Sequence, residues 1–264
     1  MKRTDSSRLP RDKSILVAAS NPDRVAEPRS NALLRSLTNR EYDLLRPFLE
    51  PVELPHHLIL QQPAEKIEFA YFLNEGLASL VVLTSDGRSV EVAIVGKEGM
   101  VGTALAVGLG QEPCRAIMQM PGSGLRIKAD VLEKALNISP ELRLILNRYV
   151  LLQGLQVAQI AACNRLHAIE ERLARWLLMC QDRVDSELLP VTHEFLAQML
   201  GTGRPSVSLA AGNLQRAGLI ENLRGTVKIL DRSSLEGSAC ECYRAIQHFS
   251  TLSLPNRKKS SIPL

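Results

Sequence analysis

The sequence predicts an α+β chain, with an N-terminal antiparallel β jelly roll, a long helix in the middle and a C-terminal winged helix-turn-helix. Three observations predict it. Residues 52–128 break into short β runs separated by turn residues, residues 140–181 have helical texture throughout, and residues 191–230 read as helix, turn, helix and hairpin. The chain has 264 residues, 45% of them hydrophobic, which is enough for two domains that each bury a core.

Composition excludes several classes. No apolar run reaches the ~18 residues a membrane span needs, and the opening MKRTDSSRLPRDK has no apolar segment behind its basic residues. A cytoplasmic protein with no membrane partner is expected. Five cysteines, Cys114, Cys163, Cys180, Cys240 and Cys242, are scattered without a CxxC, which predicts reduced thiols rather than a disulfide framework or a zinc ribbon. The formal net charge is +4, but its distribution matters more. Residues 1–40 carry +5, 41–163 carry −4, 164–232 carry +1 and 233–264 carry +2, so the excess base lies in the ends. Residues 1–30 are expected to be a disordered basic tail, and 233–264 a C-terminal helix followed by a polar, proline-flanked tail.

The elements follow in order. Asn31 to Leu49 carries leucines near helical spacing and reads as one or two short helices, closed by Pro51. The β runs are ELPHHLILQQ, IEFAYFLN, LASLVVLT, RSVEVAIV, CRAIMQM and GLRIK. Ser85-Asp86-Gly87-Arg88 marks a hairpin, because Asp-Gly tolerates the positive φ of a tight turn. In its second arm Val90, Val92 and Ile94 face one way and Glu91, Ala93 and Val95 the other. Many short strands with close turns favour a barrel or jelly roll over a parallel sheet.

Asp130 to Asn137 reads as a short helix, and Ser139-Pro140-Glu141 starts a long one. Leu142, Ile145, Leu146, Tyr149, Leu152, Gln153, Gln156, Ile160 and Cys163 form a mostly apolar stripe along it. That stripe is buried either on the β domain or against a second copy. Its length favours the second, making 140–163 a dimerisation helix after a 31–139 β domain. The pattern resets at Cys163-Asn164, the expected hinge into a 164–232 unit, and His167 to Gln181 forms a further helix with Trp176 inward.

In the helix-turn-helix, Thr192 caps the first helix, Phe195, Leu196, Met199 and Leu200 supply its buried face, and Gly201 permits the turn. Pro205 is tolerable only in the first turn of the second helix, so that helix starts near Gly203. Val207, Ala210, Ala211 and Leu214 face inward, leaving Arg204, Ser206, Ser208, Leu209 and Asn213 outside for a major groove. Gly218 to Leu230 is the wing, turning at Arg224-Gly225.

The order of parts resembles the Crp/Fnr family of bacterial transcription regulators over about residues 31–232. The resemblance rests on the strands ELPHHLILQQPAEKI and YFLNEGLASLVV, the segment GRSVEVAIVGKEGMVG, and above all FLAQMLGTGRPSVSLAAGNLQRAGLI with its wing. It implies a cyclic-nucleotide-binding-like roll, a homodimer built on the long helix, and binding of an inverted-repeat operator in double-stranded DNA. RNA polymerase and an unknown small-molecule effector are further implied partners. Arg204 stands where family members commonly place an arginine, Pro205 replaces their acidic base reader and Leu209 their later arginine, so the operator should differ from the family's best known. Thr192 and His193 sit where the first helix commonly meets the DNA backbone; the plain alternatives are a helix cap for Thr192 and a solvated surface position for His193.

The sensor half departs further. The family's ribose-holding Gly-Glu and phosphate-holding Arg-Ser/Thr-Ala correspond to Gly102-Thr103 and Cys114-Arg115-Ala116, so the glutamate is absent and the arginine is displaced by one position. Such a shift in a strand turns the side chain to the other face. A pocket that does not bind cyclic AMP is expected, with a cyclic-nucleotide-responsive regulator as the alternative and a cupin-like metal enzyme as the more distant one. No cofactor and no metal is expected: no cysteine precedes Cys114 to hold an N-terminal iron–sulfur cluster, His56 and His57 as adjacent strand residues cannot chelate together, and Cys240 and Cys242 read as inert thiols.

Overall fold

The computed structural model describes residues 30–252. Residues 1–29 of the basic tail expected over 1–30, and the polar tail expected from Pro255, lie outside the described residues. The chain enters through α1 (Ala32–Ser36) and α2 (Asn39–Leu45). Asn31 anchors this entry: its side chain caps α1 by accepting from Leu34 N–H, while its amide donates to the carbonyls of Leu73 at 2.7 Å and Gly99 at 2.8 Å.

The roll follows as β1 (Glu50–Leu54), β2 (Ile59–Gln61), β3 (Phe69–Leu73), β4 (Leu77–Leu83), β5 (Ser89–Val95), β6 (Met100–Val101), β7 (Arg115–Met120) and β8 (Gly122–Lys128). These strands pair antiparallel in two four-stranded sheets, β1-β8-β3-β6 and β2-β7-β4-β5. Leu54, Leu73 and Val101 from the first sheet meet Leu80, Ala93, Val95 and Met118 from the second in the roll interior. The outer face of the first sheet packs Ala70, Phe72, Leu125 and Ile127 against the helices around it. The second sheet turns Leu77, Ile94 and Met120 toward the C-terminal unit. Both faces of the roll are therefore covered, which keeps its strands apolar on each side.

Two local readings are corrected here. His56 and His57 are not strand residues: His57 has φ 66°, the chain turns there, and the two rings stack with centroids 3.6 Å apart. The period-2 alternation in β5 also fails. Pairing runs Ser79↔Ile94, Leu80↔Ala93, Val81↔Glu91, which leaves Val92 as the extra residue of a β-bulge. Glu91 thus emerges on the face of Ile94, opposite Ala93 and Val95.

Helix α3 (Ala129–Ile138) leads into α4 (Pro140–Leu166), α5 (Ile169–Val184), β9 (Leu188–Leu189), α6 (His193–Met199), α7 (Arg204–Arg216), β10 (Ile220–Leu223), β11 (Thr226–Ile229), α8 (Arg232–Ser238) and α9 (Cys242–Leu252). Ser139 caps α4 by accepting from Leu142 N–H, as its Ser-Pro-Glu start predicts. The helix runs on past Cys163-Asn164, and the break falls at His167-Ala168, where Glu171 accepts from the Ala168 N–H at 2.9 Å. Asn164 alone does not stop a helix, whereas the unpaired N–H groups of a new helix need a partner.

The apolar stripe expected to pair with a second copy is instead taken up within the chain. Leu142, Leu146 and Tyr149 pack on the roll's outer core, Ile160 joins the C-terminal core, and Gln156 donates to the Ile94 carbonyl at 3.2 Å. Tyr149 lies across Gly99, where any side chain would collide with it. The helix is apolar on its opposite face too, where Leu144 is 53% and Leu151 64% exposed and Leu155 is also exposed. Among the described residues, no helix is long and apolar enough to cross a membrane.

α5 is buried nearly all round, with Leu173, Ala174, Trp176, Leu177, Leu178, Met179 and Cys180 each at most 2% exposed. It fills the space between roll and helix-turn-helix. Trp176 Nε1–H donates to Glu91 Oε1 at 2.7 Å, and the Ser79 hydroxyl donates to the same carboxylate. Arg183 Nε pairs with Glu98 Oε1 at 2.7 Å, and Lys97 pairs with Asp185. Three of the five cysteines, Cys163, Cys240 and Cys242, form a small buried cluster of their own, while Cys114 and Cys180 lie apart in the roll and in the C-terminal core.

Candidate DNA interface and effector site

The reading head is built from local signals. Thr192 Oγ1 accepts from Phe195 N–H at 3.1 Å and so caps α6, and Gly201, at φ 58°, makes the turn with a left-handed backbone that residues other than glycine rarely adopt. Gly203 is the N-cap of α7 and Pro205 lies in its first turn. Val207, Ala210, Ala211 and Leu214 are buried against α5 and α6. Phe195 meets the edge of Trp176 with ring centroids 5.8 Å apart. The wing gains a third strand, because β11 pairs with both β10 and β9, and it turns at Gly225 with φ 74°.

On the outer face the expected residues divide. Arg204 is 68% exposed along its side chain, and the Glu194 carboxylate lies 4.0 Å away. An ion pair so open contributes little to stability and leaves the guanidinium available. Ser206 is exposed beside it. Ser208 is exposed as well, but its hydroxyl lies 3.0 Å from His193 Nδ1, and His193 Nε2 lies 3.3 Å from Asn222 Oδ1. His193 is therefore not a solvated surface histidine; it ties α6 to α7 and to the wing strand β10. Asn213 is not on the outer face. Its amide donates to Glu170 Oε2 at 2.6 Å, fastening α7 to the start of α5. The 100° step between successive helix residues carries position 213 round from the Arg204-Ser208 side toward α5. Two exposed cations were not singled out by motif spacing: Arg216 at the end of α7, whose guanidinium donates to Asn213 Oδ1, and Arg224 at the wing tip.

In the roll, Gly102 has φ 90° and starts a 3-10 turn over Thr103–Val107. The loop after that turn returns Glu112 to its start. Ala104 N–H donates to Glu112 Oε1 at 2.6 Å, Thr103 Oγ1 lies 3.0 Å from the same oxygen, and Gln61 Nε2–H donates to Glu112 Oε2 at 3.1 Å. An internal carboxylate thus occupies the amide donors at the head of the turn. Sequence reading missed Glu112, since a single glutamate in a loop has no periodicity to mark it. Cys114 packs toward the roll interior, where burial first and Glu112 second push its thiol pKa up. Arg115 instead donates from Nε to Gln62 Oε1 at 3.0 Å. Of the four predicted pocket residues, Thr103 bonds to Glu112, Gly102 precedes it at the head of the turn, Cys114 feels the Glu112 charge and Arg115 is bonded elsewhere.

Glu112→Ala strips the Ala104 amide of its acceptor and leaves the buried Thr103 hydroxyl only Gln153 Oε1, 3.0 Å away. It is expected to cost about 1.5–3 kcal/mol of unfolding free energy, the range for charge-assisted hydrogen bonds, measured by denaturant titration. A loss under about 0.5 kcal/mol would show that water serves these donors equally well.

Comparison with known proteins agrees with this geometry. Residues 171–237, from α5 into α8, match the family described as a Crp-like helix-turn-helix domain. No curated protein matches the chain. Among solved structures, a putative Crp/Fnr-family transcriptional regulator from Eubacterium rectale superposes with a TM-score of 0.64 at 18% identity, covering 79% of this chain and 98% of that one. FixK2 from Bradyrhizobium japonicum gives 0.64 at 18% identity over 73% and 98%. TTHB099, a CRP-family transcriptional regulator from Thermus thermophilus, gives 0.58 at 25% identity over 71% and 96%. A Crp-like helix-turn-helix domain thus stands behind a roll and a long helix that share the fold of these regulators along almost their whole length.

Proposed function

We propose that the protein binds an inverted-repeat operator as a homodimer, inserting the exposed side of α7 into successive major grooves about one turn (~34 Å) apart. The observation that carries this reading is α7 itself, with four small apolar residues buried and the Arg204 end projecting into solvent. Arg204 and Ser206 are the groups we assign to DNA. Arg216 and Arg224 add phosphate contacts from the far end of the helix and from the wing. Thr192, as the cap of α6, offers its backbone end to a phosphate, and His193 with Ser208 holds the two helices in register.

The dimer contact lies on the outward side of α4. Leu144, Leu151, Leu155, Ala158 and Ala162 are exposed there and follow the alternating three and four spacing of a helix-pairing seam, with Arg148 in the intervening position. Pairing through this face leaves the inward stripe on the roll undisturbed.

The sensor is read as an altered pocket. Glu112 presents a negative charge to the same turn where a cyclic phosphate would bring another, and Arg115, bonded to Gln62, is not there to neutralise it. Calorimetry with cyclic AMP is expected to show no binding. Micromolar binding lost on Arg115→Ala would instead establish the cyclic-nucleotide-responsive reading.

DNA fragments from the gene's own promoter neighbourhood, followed by fluorescence anisotropy over a salt series, test the main reading. Arg204→Ala is expected to weaken binding by about 1–3 kcal/mol, with relaxed specificity at one position if it reads a base, or uniformly and with a shallower salt slope if it contacts phosphate. Unchanged binding would remove Arg204 from the interface.

A further inference from the structure

Residues from the end of α4 and from the segment after the winged unit converge at the hinge. Cys163 Sγ lies 3.4 Å from Cys240 Sγ, and Cys242 Sγ lies 3.5 Å from His167 Nδ1. One ligand atom from each of the four residues falls within 4.8 Å of all the others. A tetrahedral zinc ion, at ~2.3 Å from sulfur and ~2.0–2.1 Å from nitrogen, sets neighbouring ligand atoms about 3.5–3.8 Å apart. A disulfide would instead need sulfurs ~2.05 Å apart.

Chain geometry supports the convergence. Cys163 and His167 are four residues apart and so lie on one side of the last turn of α4. Cys240 and Glu241 lie in the short link between α8 and α9, and Cys242 opens α9. Glu241 Oε1 lies 3.2 Å from His167 Nε2, leaving Nδ1 turned to the sulfurs. A carboxylate on the outer imidazole nitrogen is the arrangement that orients histidine toward a metal. Gln159 Nε2–H donates to Cys242 Sγ at 3.1 Å, a further outer contact.

The surroundings suit a site that carries net negative charge. Arg172 and Arg175 are buried and interact electrostatically with Cys163. Each keeps a buried Nε with no hydrogen-bond partner among the described residues. Three thiols whose partners are one another, Gln159 and His167 would be weakly satisfied, because S–H is a poor donor and sulfur a poor acceptor. A thiophilic cation satisfies all of them together.

We propose that Cys163, His167, Cys240 and Cys242 form a Cys3His zinc site that fastens both ends of the DNA-binding unit to the end of α4. The unit leaves α4 at His167-Ala168 and returns at Cys240, so one ion closes the loop at its base. The binding balances simply: three thiols release their protons and the neutral imidazole gives its Nδ1 lone pair, leaving a complex of charge −1 beside two guanidinium groups.

The test uses the full-length protein expressed with zinc supplied and purified without chelator. Elemental analysis is expected to find about one zinc per chain. Cys242→Ser and His167→Ala are each expected to lower the zinc content at least ~10-fold. Glu241→Gln keeps every ligand and is expected to weaken zinc affinity by ~10–100-fold in competition with a chromogenic chelator. Circular dichroism of that variant should match the parent, which separates a lost site from a lost fold. Replacing zinc by cobalt should give the strong visible absorption of a tetrahedral thiolate site. Protein without stoichiometric metal, iron with acid-labile sulfide in place of zinc, a Cys163–Cys240 disulfide in the purified chain, or full zinc retained by Cys242→Ser would each overturn the proposal.

Discussion

A chain carrying Leu151→Glu and Leu155→Glu is expected to remain folded, run as a monomer in light scattering, and lose operator affinity by on the order of 10³-fold or more. The size of the loss follows from what a single half-site contact provides. Specific complexes bind at about 10⁻⁸ to 10⁻¹¹ M, whereas binding carried by phosphate contacts alone is typically ~10⁻⁴ to 10⁻⁶ M. A monomer keeps one α7 and forfeits the second, along with the rigid spacing between them. Folding should survive because both side chains point outward, and exposed substitutions usually change stability by no more than about 0.5 kcal/mol. Two carboxylates per helix, facing their copies across a two-fold axis, would repel in a contact that must exclude water. A double variant that stays dimeric would place the dimer contact elsewhere on the chain.

Stability is expected to fall as pH rises from 5 to 8, and Glu91→Gln is expected to remove most of that slope. Burial between the roll and α5 pushes the Glu91 carboxyl up to about 7 from an ordinary value of 4.5, against the opposing pull of the Ser79 and Trp176 hydrogen bonds and of the Arg175 and Arg183 charges. A folded-state pKa above the unfolded one means the native state binds the extra proton. Its contribution is therefore complete below about 4.5 and is lost as pH passes through about 7. The full difference is on the order of 3 kcal/mol at 1.36 kcal/mol per pKa unit. Glutamine keeps an oxygen for the Trp176 N–H and offers an amide to Ser79, yet carries no charge to desolvate. Urea unfolding of both proteins at pH 5, 6.5 and 8 isolates this group, because every other residue is common to the two. Curves that stay parallel across the range would show that Glu91 is ionised at no cost where it stands.

Most of the roll and the reading head was legible because each element carries its own punctuation. Asp86-Gly87 turns the β4-β5 hairpin, Ser139-Pro140 opens α4, and Gly203-Pro205 opens α7, all by local backbone chemistry. What escaped depends on contacts across the fold. Helix α4 is apolar on two faces, so periodicity alone could not decide whether Leu142 and Leu146 or Leu144 and Leu151 would meet the roll. The Val92 bulge follows from pairing with β4, since the residues of β5 alternate without interruption. At His56-His57 a run that reads as strand carries a turn, because His57 takes positive φ without being glycine. Asn213 and His193 have the composition of DNA-facing residues and are spent on holding helices together. Glu112 and the gathered cysteines are convergences of residues distant along the chain, which no window of sequence contains.

α5 is bonded on one flank to the roll, through Trp176, Arg183 and Asp185, and on the other to α7, through the Glu170–Asn213 hydrogen bond. A shift of the reading head is therefore expected to be discrete rather than gradual. Moving it means letting go of Glu91, Glu98 and Lys97 together while α5 travels with α7 as one body, turning about the residues between α4 and α5. A latch of several simultaneous contacts releases all at once or not at all, so a signal reaching the roll would be answered at a threshold rather than in proportion.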